Sequence, residues 1–114
     1  MRDVILIEDD NDLREFLRDG LANAGYTVRE ADGGTDSLTQ FMARPAEIVI
    51  TDMVMAEGEG METLMALRDA RPAPKVLVIS GNPLYVEQSL LLGANGALLK
   101  PFTLTAMLDT LAAL

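Results

Sequence analysis

The sequence predicts an α/β domain built on a doubly wound, five-stranded parallel sheet, and three observations support this. Short apolar runs alternate with segments of helical period, which is typical of a parallel sheet covered on both faces. The length of 114 residues, 49% of them hydrophobic, suits one domain with a packed core. Polar residues follow directly after several apolar runs. With right-handed crossovers and strand order 2-1-3-4-5, these elements form a three-layer sandwich.

The strands are expected near residues 3–7, 26–30, 47–51, 75–79 and 96–99. The first helix is expected over about residues 12–24. Asp10 and Asp12 suit the positive end of its dipole, and Gly25 is well placed to terminate it. Its apolar positions are Leu13, Phe16, Leu17, Leu21 and Ala24.

The remaining helices are predicted by the same periodicity. The second spans about residues 35–43, the third about 60–70, the fourth lies between Pro83 and Gly93, and the fifth starts near Thr103 as N-cap. In the fourth helix Leu91 and Leu92 blur the period. The apolar positions expected to face the core are, in chain order, Leu38, Phe41 and Met42; Met61, Leu64 and Met65; Val86 and Leu90; and Leu104, Met107, Leu108 and Leu111.

Composition excludes several kinds of chemistry. The chain has no cysteine and no histidine, so it carries no disulfide, thiolate nucleophile, Ser-His-Asp triad, histidine-ligated zinc or phosphohistidine of its own. A formal net charge of −9 with only two lysines argues against direct binding of nucleic acid. Since neither a signal peptide nor a membrane-spanning run is visible, we expect a cytoplasmic location without membrane attachment.

Polar side chains follow the apolar runs at one predicted edge of the sheet. If the runs are neighbouring parallel strands, their carboxyl ends bring together Glu8, Asp9, Asp52, Ser80 and Lys100. Carboxylates ~5 Å apart repel by roughly 1–3 kcal/mol per pair, and a divalent cation would relieve that repulsion. All-oxygen ligands favour Mg²⁺, usually completed by a phosphoryl oxygen. Lys100 and Ser80 could contact the same phosphoryl group.

Asp52 is the best candidate for a nucleophile, because it stands alone after the third run whereas Glu8 and Asp9 form a pair suited to metal. Each residue also has a simpler interpretation. The acid pair is compatible with a solvated helix cap, Asp52 with a turn, Ser80 with a turn and helix cap, and Lys100 with a surface lysine. Their joint placement after four apolar runs favours a phosphate-and-metal site.

The sequence resembles the receiver domain of bacterial two-component response regulators, of the chemotaxis-regulator type with a flavodoxin-like fold. The resemblance covers essentially the whole of residues 1–114 as a single receiver domain. It rests on five segments: Val4-Ile5-Leu6-Ile7-Glu8-Asp9-Asp10; Asp52 followed by Met55 and Gly60; Val78-Ile79-Ser80-Gly81; Gly93-Ala94-Asn95-Gly96; and Lys100-Pro101-Phe102.

The resemblance implies that Asp52 accepts a phosphoryl group from a histidine kinase or phosphotransfer protein. It also implies that Mg²⁺ is held by Glu8, Asp9 and Asp52 together with the backbone carbonyl of Val54. Asp10 then lies at the start of the first helix. The chain is expected to signal by conformational change and to lack independent metabolic activity.

The resemblance further implies that Ser80 and Lys100 contact the phosphoryl oxygens, and that Lys100-Pro101 is a cis peptide. A downstream protein would bind through the face formed by the fourth helix, fifth strand and fifth helix. The chain is expected to be a monomer or weak dimer.

Two departures from the family pattern affect signalling. Ala97 stands where most receivers carry the aromatic that moves inward on phosphorylation, and either Tyr85 or Phe102 could substitute for it; equally, both rings could simply pack. Val54 and Asn82 flank the phosphorylation site in the family pattern. Since an apolar Val54 cannot orient an attacking water, we expect slow self-dephosphorylation.

The sequence leaves three rival functions to consider, each of which depends on particular residues. A degenerate receiver acting only as a protein-interaction module is suggested by Ala97 and by a segment from Ser80 to Gly93 that is about two residues short of the family pattern. A haloacid-dehalogenase type of phosphatase needs a second aspartate where this chain has Val54. A flavin-binding protein of this fold needs a Ser/Thr/Gly-rich loop where this chain has acids.

Overall fold

A single five-stranded parallel sheet organises the computed structural model, which describes residues 2–52 and 59–114. The strands lie in the order β2-β1-β3-β4-β5. This confirms the predicted fold class and strand order. The strands are β1 Asp3–Ile7, β2 Thr27–Ala31, β3 Ile48–Asp52, β4 Lys75–Ser80 and β5 Gly96–Leu99.

In the part of the chain that the structure describes, five helices alternate with these strands, close to their predicted positions. The fourth helix is regular but short, with nine residues, and it ends before Leu92. Within the described residues, none of the helices combines the length and apolar character needed to cross a bilayer. The helices are α1 Asn11–Asn23, α2 Gly34–Ala43, α3 Glu59–Asp69, α4 Pro83–Leu91 and α5 Leu104–Ala112.

The core consists of two apolar layers, one on each face of the sheet. On one face, strand residues such as Val4 and Ile50 pack with the α1 and α5 side chains Leu17, Leu21 and Met107. On the other face, α2, α3 and α4 cover the strand residues Ile5, Ile7, Val49, Val76 and Val78. The fully apolar strands follow from this double coverage, because side chains on both sides of each strand are buried.

Several helix ends confirm the sequence-based assignments. Asp10 is the N-cap of α1, where its carboxylate accepts from the amides of Asp12 and Leu13. Thr103 caps α5 by accepting from the amide of Ala106. Gly25 follows α1 with φ of 98°, the left-handed conformation expected of a terminating glycine.

The predicted inward faces of the helices were too wide, and five residues assigned to them are exposed. In α1, Leu17 and Leu21 are buried, and Phe16 lies off their line. Because each residue advances about 100° around a helix, a neighbour in sequence points well away from the buried stripe. The exposed side chains are Phe16 at 55%, Met42 at 75%, Met65 at 49% and Leu90 at 48%, and Ala24 is also exposed.

The buried face of α4 is rotated relative to the prediction. Tyr85 and Leu92 pack against the core, and Ser89 between them is fully buried. These positions follow the helical spacing i, i+4, i+7. The Ser89 hydroxyl is satisfied within the helix, because it donates to the carbonyl of Val86 at 2.8 Å. The predicted Val86 and Leu90 face therefore gives way to one that contains a serine.

Candidate functional site

The carboxyl ends of the central strands bring the predicted polar residues together. Ile7 of β1 is in register with Thr51 of β3, so Glu8 leaves its strand next to Asp52. Asp52 is the last residue of β3 and Ser80 the last residue of β4. The amide of Lys100, just after β5, donates to the carbonyl of Ser80 at 2.8 Å.

Lys100 joins two carboxylates at this edge. Its Nζ lies 2.6 Å from Oε1 of Glu8 and 3.3 Å from Oδ1 of Asp52. The Glu8 side chain is only 1% exposed, that of Asp52 16% and that of Lys100 25%. The Lys100-Pro101 peptide is cis, as the family resemblance implied. The predicted acceptor, one member of the acid pair and the lysine thus form a single half-buried cluster.

The cluster perturbs the ionisation of its members. Burial raises the pKa of Asp52 from 3.8 to about 6, and the hydrogen bond and charge of Glu8 add to this, against the opposing effect of Lys100. Burial by itself lowers the pKa of Lys100, but hydrogen bonds and charges from Glu8 and Asp52 outweigh it, and the pKa of Lys100 is raised. One ammonium group therefore faces two neighbouring carboxylates at this edge of the sheet.

Ser80 and Asp9 occupy different positions relative to this cluster. Ser80 is 2% exposed, and its Oγ accepts from the amide of Asn82 at 3.1 Å. Asp9 is exposed. Across residues 2–52 and 59–114, no group of three carboxylates could hold a metal ion, so Asp9 does not gather with Glu8 and Asp52 here. The carbonyl assigned to Val54 lies outside the described residues.

The structure adds a residue that the sequence analysis did not single out, Arg14 on α1. Its guanidinium donates to the backbone carbonyl of Glu8 and to the side chain of Asn11. The contact between Arg14 and Asn11 could have been predicted, because the two residues are one helical turn apart in the sequence. The contact with Glu8 depends on the path of the chain between β1 and α1, which the sequence does not show.

Ala97 and the two candidate aromatic substitutes lie in different layers. Ala97 and Tyr85 both pack against the layer that α2, α3 and α4 cover. Phe102 packs against the opposite layer, with α1 and α5. Of the two rings, Tyr85 is the one that shares the surroundings of Ala97.

Sequence comparisons identify the family of the chain. Residues 4–112 match the family model for the response regulator receiver domain. The chain is 36% identical over 81 residues to the response regulator receiver protein CpdR of Brucella abortus, which covers 71% of this chain and 68% of CpdR. It is 31% identical over 107 residues to SilR, a probable transcriptional regulatory protein of Salmonella typhimurium. That match covers 92% of this chain and 47% of SilR, so the chain spans about half of SilR.

Solved structures share the whole architecture. The chemotaxis response regulator CheY4 of Vibrio cholerae superposes with a TM-score of 0.88 at 26% identity, covering 99% of this chain and 98% of CheY4. TrrA of Thermotoga maritima, solved in complex with Mg²⁺-BeF, has the same fold with a TM-score of 0.88 at 22% identity over 99% of this chain and 98% of TrrA. With the family match over residues 4–112, these findings establish that the chain belongs to the response regulator receiver domains, the signalling modules of two-component systems.

Proposed function

We propose that the chain is a phosphoacceptor and that Asp52 receives a phosphoryl group from a phosphohistidine on a histidine kinase or phosphotransfer protein. The observation that carries the proposal is the contact of Lys100 with both Asp52 and the buried Glu8. This arrangement sets a desolvated carboxylate beside a fixed cation at the open edge of the sheet. Such surroundings suit a nucleophile whose product carries additional negative charge.

The donor set fits a magnesium ion. Glu8 and Asp52 offer only oxygen ligands, and their mutual repulsion contributes to the raised pKa of Asp52. A cation placed between them would relieve this repulsion. We propose that Glu8 and Asp52, with Asp9 and the backbone carbonyl of Val54 as the family resemblance implies, would hold it; Asp9 would have to turn toward the other two carboxylates, since it is exposed here. When bound, Mg²⁺ would supply positive charge to neutralise the phosphoryl oxygens.

The transfer step uses the residues of the cluster. A carboxylate oxygen of Asp52 forms the new bond to phosphorus while the bond from phosphorus to the donor imidazole nitrogen breaks. The bonding electrons return to that nitrogen. Because the pKa of Asp52 is about 6, the carboxylate is mostly ionised at neutral pH and ready to attack.

Lys100 and Ser80 would stabilise the transferred group. The Lys100 ammonium lies 3.3 Å from Asp52, within reach of a phosphoryl group attached there. The Ser80 hydroxyl accepts a hydrogen bond through its oxygen, so that bond leaves its proton to be donated to a phosphoryl oxygen. Both contacts appear only when the phosphoryl group is in place, and they would favour the phosphorylated conformation.

The signalling partners follow from this chemistry. The chain has no histidine, so the phosphoryl donor is a separate domain or protein. We propose that a downstream protein binds the face of α4, β5 and α5, where Leu84 and Leu99 are exposed. As a receiver, the chain would act by this contact and not as a metabolic enzyme.

A titration with beryllofluoride and Mg²⁺, followed by amide NMR, tests the proposal. We expect Mg²⁺-dependent shifts around Asp52, Ser80 and Lys100 in the native chain and none in Asp52→Ala. Asp109→Ala, which removes an exposed aspartate of α5, is the matched control and should respond like the native chain. A folded native spectrum without any response would contradict the proposal and favour the rival function, a protein-interaction module that works without phosphorylation.

A further inference from the structure

Arg14 connects three segments around the acidic end of β1. Its Nη1 donates to the carbonyl oxygen of Glu8 at 3.1 Å, and its Nη2 donates to Oδ1 of Asn11 at 2.8 Å. Its Nε lies 3.4 Å from Oε1 of Glu30 on β2. One half-buried guanidinium therefore ties the end of β1 to the first turn of α1 and to the neighbouring strand.

These contacts require the geometry of arginine. Each of its three nitrogens serves a different partner, and the planar guanidinium fixes the directions of the three bonds relative to one another. Lysine has the same charge, but its three donors share a single nitrogen and lack the planar fork that aligns three separate nitrogens with three acceptors. The arrangement thus depends on the shape of the side chain as well as on its charge.

Glu8 is held at three atoms as a result. Arg14 binds its carbonyl oxygen, Lys100 binds Oε1 at 2.6 Å, and the amide of Asp10 donates to Oε2 at 3.3 Å. Fixing the carbonyl fixes the peptide between Glu8 and Asp9. The orientation of that peptide sets the direction in which both acidic side chains leave the backbone.

We infer that Arg14 is a positioning residue for the magnesium site, acting through the Glu8 peptide without touching the metal or the phosphoryl group. The inference rests on the proposed function, since it assigns Arg14 a part in the same site. Residues that orient metal ligands commonly change metal affinity by tenfold or more when they are replaced. Arg14 would do this by holding a backbone carbonyl.

Arg18 provides a matched control on the same helix. It also pairs with Oε1 of Glu30 at 3.4 Å, and its other ion pairs go to Glu15 and Asp19. Its side chain is 40% exposed, compared with 30% for Arg14. Arg18→Gln removes the same charge and the same partner on β2, one turn further along α1.

Whether Mg²⁺ affinity rises or falls in the Arg14 variants shows whether Arg14 acts by positioning Glu8 or by its charge. Removing a nearby positive charge strengthens the attraction of an acidic site for a divalent cation. A pure charge effect would therefore leave Arg14→Gln binding Mg²⁺ at least as tightly as the native chain. Loss of positioning would instead weaken Mg²⁺ binding. It would do so in Arg14→Lys as well, although that variant keeps the charge.

The experiment is a titration with Mg²⁺ alone, followed by the amide signals of Asp10 and Asp52, on the native chain and on Arg14→Gln, Arg14→Lys and Arg18→Gln. We expect both Arg14 variants to weaken Mg²⁺ binding by about tenfold and Arg18→Gln to stay within about twofold of the native chain. Urea unfolding of the same proteins should show similar losses for Arg14→Gln and Arg18→Gln, since both lose a pair with Glu30.

Each other outcome overturns the inference. Native-like Mg²⁺ affinity in Arg14→Gln would show that the carbonyl contact does not position the site, while the proposed function would stand. Full rescue in Arg14→Lys would show that a single ammonium group holds the Glu8 carbonyl well enough and that the shape of the guanidinium is not needed. If the native chain itself does not bind Mg²⁺, both the proposed function and the role of Arg14 fail.

Discussion

Replacing Asp52 with asparagine should stabilise the fold at neutral pH, because the structure holds this carboxylate in unfavourable surroundings. The Asp52 side chain is 16% exposed, and its pKa is raised from 3.8 to about 6. Each pH unit of difference between the folded and unfolded pKa values corresponds to about 1.4 kcal/mol. Ionised Asp52 therefore lowers the free energy of unfolding by about 3 kcal/mol. Asparagine removes the charge and nearly keeps the shape, so we expect a gain of about 2 to 3 kcal/mol.

The pH dependence of this gain follows from linkage. Well below pH 3.8 Asp52 is protonated in both states, and the penalty is absent. Between pH 3.8 and about 6 the unfolded chain releases the proton first, so the folded state binds more protons and its stability falls as the pH rises. Above that window the penalty is constant. The advantage of Asp52→Asn should accordingly grow from pH 4 and level off near pH 7.

Urea unfolding followed by circular dichroism, at pH 4 and pH 8 with a chelator present, measures this difference. Glu47→Gln is the control, since it removes a carboxylate whose ion pair with Arg2 is exposed, and it should change stability by less than about 1 kcal/mol at either pH. The same advantage for Asp52→Asn at both pH values, or a loss of stability at pH 8, would refute the reasoning.

Four further outcomes are expected. Lys100→Met should lower stability by about 3 kcal/mol in urea unfolding, because the buried Glu8 carboxylate loses its counter-charge; an unchanged midpoint would contradict this. Thr103→Ala should cost about 1 kcal/mol through loss of the α5 cap, and Thr103→Ser should recover most of it. The Tyr85 ring signals should move when a phosphoryl mimic binds; motion of α4 with a static ring would exclude Tyr85 as the substitute aromatic. Phosphorylated chain should lose its label slowly, since Val54 cannot orient water, and a half-life of seconds without a phosphatase would disprove this.

The sheet and the gathering of Glu8, Asp52 and Lys100 were predictable because strand position follows from runs of apolar residues. Once strands are parallel, the residues after them share one edge. The same logic could not separate Glu8 from Asp9. Both acids follow the end of β1, where the chain bends toward α1, and only the structure shows that Glu8 is buried against Lys100 while Asp9 is exposed.

Sequence patterns did not predict the exact buried faces of the helices or the role of Arg14. Leucine and phenylalanine next to a buried stripe look the same in sequence as residues within it, and only packing decides that Phe16 is outside. In α4 the buried position is Ser89, which a search for apolar period passes over. Arg14 was missed because its main partner is a backbone carbonyl, and every residue carries one.

The side chains of α4 fall into two groups, those that pack in the core and those that are exposed. Tyr85, Ser89 and the following Leu92 are fixed by the core. Leu84, Leu90 and Leu91, with Leu91 85% exposed, are not held by it. Variation at these outer positions can therefore accumulate at little cost to folding. After duplication of such a domain, substitutions would therefore accumulate first on this side of α4. Replacing the outer leucines would also change the surface of α4 without changing the core.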